Sequence, residues 1–139
     1  MTYFDGEDTH CPVELSLQII NRKWVLQIIC EMFFGKSKFS EFQERNPELS
    51  NKALSRSLKY MEEQNLIEKV VDEEDKKNIN YYLTEKGKSL NYVLYDLVIF
   101  TLNNEDNAKY YTEETKEKTE QMFRERLGIK KAIMQLTRT

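Results

Sequence analysis

The chain is poor in the residue types from which most enzyme and metal sites are built. Among its 139 residues are one histidine and two cysteines. It has no glycine-rich phosphate loop and no spaced carboxylate pair, so no arrangement of acid, base or nucleophile is expected. His10 and Cys11 alone cannot complete a zinc site. The sequence therefore predicts no enzyme, no metal site and no cofactor.

Long hydrophobic runs are absent as well. No apolar run approaches the roughly 18 residues that span a bilayer. The segment Met1 to Asp8 is acidic, unlike the basic and then apolar start of a signal peptide. Cys11 and Cys30 are too few for a disulfide scaffold and fit a reducing compartment. We expect a cytoplasmic protein that does not bind membranes.

Length and composition suit one compact domain with an appendage. The 139 residues are 40% hydrophobic and 32% charged, which is typical of a globular chain. We divide the sequence into an N-terminal tail at residues 1–9, a domain at residues 10–104 and a C-terminal extension at residues 105–139. The extension mixes charges of both signs with apolar residues, so we expect an amphipathic helix that breaks near Gly128 and contributes to dimerisation.

The most informative segment is a helix that begins at Asn51. At about 100° per residue, its apolar side chains gather on one face and its basic side chains on the opposite face. The apolar residues are Leu54, Leu58 and Met61, and the basic residues are Lys52, Arg56 and Lys59. Ser50 is a suitable N-cap. Asn65 tolerates the left-handed conformation that ends a helix.

Three shorter helices are expected before this one. The first opens with Pro12 and the second ends at Phe33, while the third runs from about Phe39 to Arg45. The second helix carries two apolar seams, which predicts burial on two sides and assigns Cys30 to packing. The third helix, a turn and the helix at Asn51 form a helix-turn-helix pattern, in which the second helix of a DNA-binding protein lies in the major groove.

Two strands and a charged turn follow. Residues 66–71 and Ile79 to Leu83 are rich in β-branched and aromatic side chains. Asp72 to Asn78 would form the tip of the hairpin, where Lys76 and Lys77 could meet phosphate and the four preceding carboxylates would be repelled by it. We therefore predict a mainly α fold with a small β-hairpin wing (α+β), that is, a winged helix-turn-helix with flanking dimerisation helices.

A strongly apolar helix is expected after the hairpin, with Thr84 as its cap. One of its stripes comprises Leu90, Leu94, Leu97 and Thr101, and further apolar residues widen that stripe over much of the circumference. A small domain offers limited surface to cover such a helix. We therefore predict a symmetric dimer interface there.

The distribution of charge favours nucleic acid, although the net charge of −3 does not. Residues 50–60 contain three basic residues and no acidic one. Such a stripe can contact phosphates while the acidic remainder weakens indiscriminate binding, which predicts modest affinity for random DNA and a steep salt dependence. The alternative is an interaction adaptor that binds no DNA and pairs the same basic residues with an acidic protein.

In this order the residues resemble the HxlR-type branch of the MarR-like winged helix-turn-helix transcription regulators of bacteria. The resemblance covers roughly Cys11 to Leu102. Three features depart from the family pattern. The wing lacks the usual proline-containing form, and a tryptophan often found late in the next helix is absent, although Phe100 lies nearby. The segment beyond Asn104 exceeds the usual family length. The matching stretches are Cys11-Pro12, Lys23-Trp24, Gly35 to Phe42, Leu54, Leu58, Asn65 to Ile67 and Tyr82 to Gly87.

The resemblance implies a homodimer, joined through its first and last helices, on a palindromic or pseudo-palindromic double-stranded DNA operator. Leu15 and Ile19 of the first helix would then join the interface stripe. Half-sites would lie about 34 Å apart, or a multiple of that distance. The DNA-binding candidates are Lys38, Ser50, Asn51, Lys52, Ser55, Arg56, Lys59, Lys76 and Lys77.

Cys11 is a second functional candidate. Several members of the family sense oxidants or electrophiles through a cysteine just before the first helix, and Cys11 matches that position. The positive end of a helix dipole, with His10 adjacent, favours the reactive thiolate. The alternative is a cysteine packed against the dimer interface.

A third possibility is a small-molecule effector in place of redox. Such a molecule would occupy a pocket between the winged domain and the dimer helices. Aromatic side chains are the candidate lining, although they are more often core residues. They are Trp24, Tyr81, Tyr92, Tyr95 and Phe100.

Overall fold

The computed structural model describes residues 10–104 and 109–130. Seven helices and one two-stranded antiparallel sheet occupy these ranges. This architecture confirms the predicted mainly α fold with a β-hairpin. The elements are α1 (Pro12–Ile20), α2 (Val25–Phe33), α3 (Phe39–Glu44), α4 (Asn51–Glu63), β1 (Ile67–Val71), β2 (Ile79–Leu83), α5 (Glu85–Lys88), α6 (Asn91–Leu102) and α7 (Glu113–Arg126).

Helix α4 begins and ends where its sequence predicted. The Ser50 hydroxyl accepts a hydrogen bond from the Ala53 amide at 3.1 Å, which satisfies one of the amides that a helix leaves unpaired at its start. At the other end Asn65 takes the left-handed conformation, with φ of 61°. The apolar face of the helix, Leu54, Leu58 and Met61, is buried, so its basic face points outward.

Helix α2 is the central helix, but only one of its two seams is fully buried. Val25, Ile28, Ile29 and Met32 lie in the core. The second seam, which includes Cys30, is half-buried. Burial on two sides was therefore only partly right, because α6 and α7 leave a pocket beside this seam rather than closing over it.

The hairpin is tied to the helical part through its second strand. Ile67 pairs with Leu83 and Val71 pairs with Ile79. The Tyr81 amide donates to the Ser37 carbonyl oxygen at 2.8 Å, and the Ser37 hydroxyl donates to Asn80 Oδ1 at the same distance. These bonds fix the strands against the turn before α3, so the hairpin lies beside the helix-turn-helix.

The segment after the hairpin is two helices rather than the single one expected. Thr84 caps the short helix α5 by accepting from the Gly87 amide. Leu90 then precedes α6 instead of lying within it. A Cβ on Gly87 would lie 2.1 Å from the Leu66 carbonyl oxygen, so this glycine lets α5 approach the backbone just before β1, and the chain changes direction before α6.

The C-terminal extension contains one described helix, α7, which packs on the chain's own core. The Phe123 ring meets the Phe34 ring edge-on, with centroids 5.2 Å apart. Glu120 accepts from the Tyr95 hydroxyl at 2.6 Å, and burial together with this carboxylate raises the pKa of Tyr95 to about 12. Helix α7 ends before Gly128, whose φ is 64°, as predicted. The tail at residues 1–9 and the part of the extension at residues 131–139 lie outside the described residues.

Candidate nucleic-acid interface

The helix-turn-helix is held by a polar bridge between α3 and the start of α4. The Gln43 side-chain amide donates to the Leu49 carbonyl oxygen at 3.1 Å and to Asn51 Oδ1 at 2.7 Å. Phe42 and Leu49 are buried beneath this bridge. Gln43 therefore positions the first turn of α4, a role that the sequence pattern did not indicate.

The basic face of α4 is open to solvent. Lys52, Arg56 and Lys59 are all exposed. Within residues 10–104 and 109–130, none of them lies in an ion pair with a carboxylate. Cations elsewhere do form such pairs, including Lys36 with Glu31 at 3.5 Å. The positive charge of α4 is thus available to an external anion.

Two recesses flank α4. The first, here called the turn pocket, is a cavity of about 270 Å³ between α4 and the turn that joins α1 to α2. Two of its basic residues, Arg22 and Lys23, were not among the sequence-predicted DNA-binding residues. Its lining consists of Arg22, Lys23, Trp24, Val25, Ala53, Arg56, Ser57 and Tyr60.

The second recess, here called the hairpin groove, lies between α4 and the strands and has a volume of about 510 Å³. Carboxylates and amines share its walls, and Ser55 also lines it. Its lining consists of Ser55, Leu58, Lys59, Glu62, Glu63, Lys69 and Tyr81. The basic stripe of α4 is therefore divided, with Arg56 beside the turn pocket and Lys59 beside the hairpin groove.

The tip of the hairpin is exposed and internally hydrogen-bonded. Asp72 accepts from the Glu74 amide at 2.9 Å and from the Asn78 side chain at 3.2 Å, and these bonds lower the pKa of Asp72. Lys38, the residue before α3, donates to Asn78 Oδ1 at 2.7 Å. Lys76 and Lys77 are exposed on the same tip.

Ser50 and Asn51 already have partners within the protein. The Ser50 hydroxyl caps α4, and Asn51 Oδ1 accepts from Gln43. Ser55 is exposed beside Lys59. The predicted DNA-binding residues thus lie at the start of α4, along its exposed face and at the hairpin tip, with Lys38 in contact with the tip.

Cys11 and Cys30 occupy different environments. Cys11 is half-buried, lies at the N-cap position of α1 and makes no side-chain capping bond. Cys30 lines a pocket of about 260 Å³ between α2, α6 and α7. Burial, aided by the neighbouring Glu31 carboxylate, raises the pKa of the Cys30 thiol, so Cys30 is kept in the protonated form.

The residues predicted for a dimer interface divide into exposed and buried groups. Leu97 is 47% exposed, whereas Leu94 is only 6% exposed and packs in the chain's own core. Leu90, Thr101 and Ile19 are half-buried.

The apolar face that α6 presents to solvent shares only Leu97 with the stripe that the sequence predicted. It comprises Val93, Leu97 and Phe100, the last of them 70% exposed. Helix α1 buries no residue, and its Val13, Leu15 and Leu17 are exposed. Because α6 is hydrophobic nearly all round, its sequence did not indicate which of its faces would be exposed.

The five aromatic residues expected to line one effector pocket are dispersed. Tyr81 and Tyr95 are core residues, whereas Tyr92 and Phe100 are exposed. Trp24 lines the turn pocket instead. The pocket beside Cys30 contains none of the five.

Residues 10–104 and 109–130 contain no group of three histidine, cysteine or acidic side chains that could hold a metal ion. In the same ranges every helix is too short or too polar to cross a bilayer.

Comparison with known proteins gives the family. Residues 19–109 match the family described as HxlR-like helix-turn-helix. An uncharacterised HTH-type transcriptional regulator of Methanothermobacter thermautotrophicus is 37% identical over 86 residues, which are 61% of this chain and 66% of that relative. The present chain thus spans just under two thirds of that relative.

Solved structures agree with this match. The HTH-type transcriptional regulator ytcD of Bacillus subtilis superimposes with a TM-score of 0.57 at 30% identity, over 63% of this chain and 90% of that one. Quinone-bound YodB of B. subtilis gives 0.54 at 30% identity, over 63% and 92%. Helix α7 begins beyond the family match. Since that match spans more than half of the chain, the protein belongs to the HxlR-like helix-turn-helix family, whose members are MarR-like transcription regulators and not enzymes.

Proposed function

We propose that the protein is a sequence-specific DNA-binding transcription regulator that acts as a homodimer on a pseudo-palindromic operator. The observation that carries the proposal is the exposed basic face of α4, on which Lys52, Arg56 and Lys59 lie without carboxylate partners in the described ranges. Helix α4 enters the major groove, and its side chains contact base edges and flanking phosphates. Such a regulator acts in the cytoplasm, where the chromosome lies.

Two apolar faces support the homodimer. Helix α1 exposes Val13, Leu15 and Leu17, and helix α6 exposes Leu97 and Phe100. A second copy covers both, because a C2 dimer brings the same surfaces of two chains together. The dimer then presents two α4 helices to half-sites about 34 Å apart, or a multiple of that distance.

A band-shift titration tests DNA binding. The probes are the promoter DNA of the protein's own gene and a scrambled duplex of equal length, each at two salt concentrations. We expect a shift that favours the promoter and weakens steeply with salt. If neither probe shifts, the protein is an adaptor that pairs its basic face with an acidic protein, a reading that the carboxylates of the hairpin tip favour.

A thiol response through Cys11 is a second, separable part of the proposal. Cys11 is a free, half-buried thiol at the start of α1, a helix that buries none of its own residues. Oxidation of the Cys11 thiol, or its reaction with an electrophile, changes how α1 packs between the two subunits. This change alters the spacing of the two α4 helices. The solved quinone-bound form of YodB, a family relative, also favours this reading.

The test uses diamide or a quinone. Either reagent should change the DNA affinity of the wild-type protein and leave that of Cys11→Ser unchanged. Should Cys11→Ser respond equally, the signal acts elsewhere. The pocket of about 260 Å³ beside Cys30 is then the candidate site for a small-molecule effector.

A further inference from the structure

The turn pocket holds three cations that come from distant parts of the chain. Arg22 and Lys23 precede α2, whereas Arg56 belongs to α4. The Arg22 guanidinium lies 3.8 Å from the centroid of the Tyr60 ring, a cation–π geometry. The Tyr60 hydroxyl donates to the Ile19 carbonyl oxygen at 2.8 Å. Arg22 therefore lies on a ring that is itself anchored to the end of α1.

The backbone before α2 turns both neighbouring cations toward this pocket. Trp24 adopts the left-handed conformation, with φ of 78°, which bulky residues rarely take unless their surroundings impose it. The Val25 amide donates to the Arg22 carbonyl oxygen at 3.2 Å. The Lys23 ammonium lies 5.2 Å from the centroid of the Trp24 ring. The tight turn thus brings Arg22, Lys23 and Trp24 into one recess.

The recess lacks a counter-charge. No carboxylate lines it, and across residues 10–104 and 109–130 none of its three cations lies in an ion pair with one. Like charges that share a small space repel each other, and an anion between them removes that repulsion. A volume of about 270 Å³ holds a phosphodiester group, and guanidinium groups match its oxygens by paired hydrogen bonds.

We propose that the turn pocket binds a backbone phosphate of DNA next to the bases that α4 contacts. This inference rests on the proposed function. It assigns Arg22 and Lys23 to the interface and makes Arg56 a phosphate ligand instead of a reader of guanine. Base contacts then fall to the exposed front of α4, where Lys52 and Ser55 lie.

The test measures how DNA affinity depends on salt for Arg22→Gln, Lys23→Gln and Arg56→Gln in the full chain. Each neutralised phosphate contributes about 0.9 to the magnitude of the slope of log affinity against log salt. Relative to 1 M salt, this corresponds to about eightfold in affinity at 0.1 M. Because the three cations share one phosphate, we expect each single variant to lower the slope by part of this amount for every pocket that docks, and the triple variant to lower it by about the whole amount. The loss should be equal on promoter and scrambled duplexes, because phosphate carries no sequence information.

Two control variants and a folding measurement accompany these substitutions. Lys118→Gln removes the same charge from α7, where Lys118 pairs with Glu114, and should keep the wild-type slope. Arg22→Lys retains the charge and should keep the wild-type salt slope, whereas loss of the paired hydrogen bonds of the guanidinium should lower the affinity. Circular dichroism with thermal unfolding checks that every variant is folded. The melting temperature of the DNA-free protein, measured with inorganic phosphate at constant ionic strength, tests whether the pocket holds a free anion instead of the DNA backbone.

The outcomes separate this inference from the proposed function. If the wild type binds DNA and the three variants keep its slope, the pocket holds no phosphate. A loss confined to the promoter duplex would make Arg56 a base reader and would also overturn the inference. A rise in melting temperature with inorganic phosphate that Arg22→Gln abolishes, together with wild-type slopes for the three variants, would assign the pocket to a free anion and would also overturn the inference. A wild type that binds neither duplex overturns both proposals.

Discussion

The two sides of α4 differ in charge although they belong to one helix. The turn pocket has three cations and no carboxylate, whereas the hairpin groove sets Lys59 and Lys69 against Glu62 and Glu63. Beyond the groove, the hairpin tip adds four consecutive acidic residues, Asp72 to Asp75. The side toward α2 is therefore positively charged, whereas the side toward the hairpin has more acidic than basic residues.

This asymmetry reconciles an acidic protein with the proposed DNA binding. A net charge of −3 opposes binding only when it is spread evenly, because salt screens exposed charges beyond about 10 Å at 0.1 M. Local cations on α4 and before α2 thus act nearly independently of the acidic surface elsewhere. In the proposed complex, carboxylates on the hairpin side would weaken binding to arbitrary DNA and leave discrimination to the contacts of α4 with bases.

The largest expected effect is on the free energy of unfolding, from a substitution in the core that supports both sides of α4. Leu54 is fully buried beneath the helix, and Leu54→Ala should lower the free energy of unfolding by about 2 to 5 kcal/mol because it leaves a cavity. Chemical denaturation measures this loss. Lys52→Ala, on the exposed face, should change stability by about 0.5 kcal/mol or less. Equal losses for the two variants would show that α4 does not pack through Leu54.

Alanine at Arg56 and at Lys59 compares the two sides directly. Arg56→Ala should weaken binding to promoter and scrambled duplexes alike, by about 1 kcal/mol for each phosphate lost at 0.1 M salt. Lys59→Ala should cost less, because Glu62 and Glu63 line the same groove and already offset its charge. Fluorescence anisotropy at fixed salt gives both values. Binding unchanged by Arg56→Ala would remove this residue from the interface.

Tyr60→Phe separates the scaffold of the turn pocket from its charge. The substitution keeps the ring under Arg22 and removes the hydroxyl that donates to the Ile19 carbonyl oxygen at 2.8 Å. We expect a loss of about 0.5 to 1.5 kcal/mol in the free energy of unfolding, with an unchanged salt slope of DNA binding. A lowered slope would instead show that the α1 to α4 link itself positions the cations.

The smallest expected effect concerns the hairpin tip. The double variant Glu73→Gln and Glu74→Gln removes two exposed carboxylates and should strengthen binding to both duplexes by about two- to fivefold, the range of exposed charge interactions. Glu113→Gln with Glu114→Gln removes the same charge from α7 and should have little effect. Identical affinities for the tip variant and the wild type would show that the hairpin does not approach DNA.

Much of the helix-turn-helix follows from local sequence. The bounds of α4, the Ser50 cap and the left-handed Asn65 depend on interactions within one turn of helix, and such interactions are encoded by neighbouring residues. The strands followed from β-branched and aromatic runs in the same way. Their predicted bounds differ from the observed ones by a single residue, since β1 begins at Ile67.

Other features required packing between distant segments. Helix α6 is apolar nearly all round, so periodicity could not indicate that Leu94 is buried and Leu97 exposed. The separation of α5 from α6 depends on the close approach of Gly87 to Leu66. The half-burial of Cys30 depends on α7, which lies beyond the family match. In each case a neighbouring element decides which face is covered.

By itself the sequence determined that α4 has an apolar and a basic face, because helical periodicity fixes the angle between side chains on one element. It also determined that the protein has a hairpin with a charged tip. Only the tertiary structure brought Arg22 and Lys23 beside Arg56, 34 positions after Arg22. The physical reason is that an isolated helix specifies the directions of its own side chains, whereas the charge facing them comes from whichever segment the core places next to it.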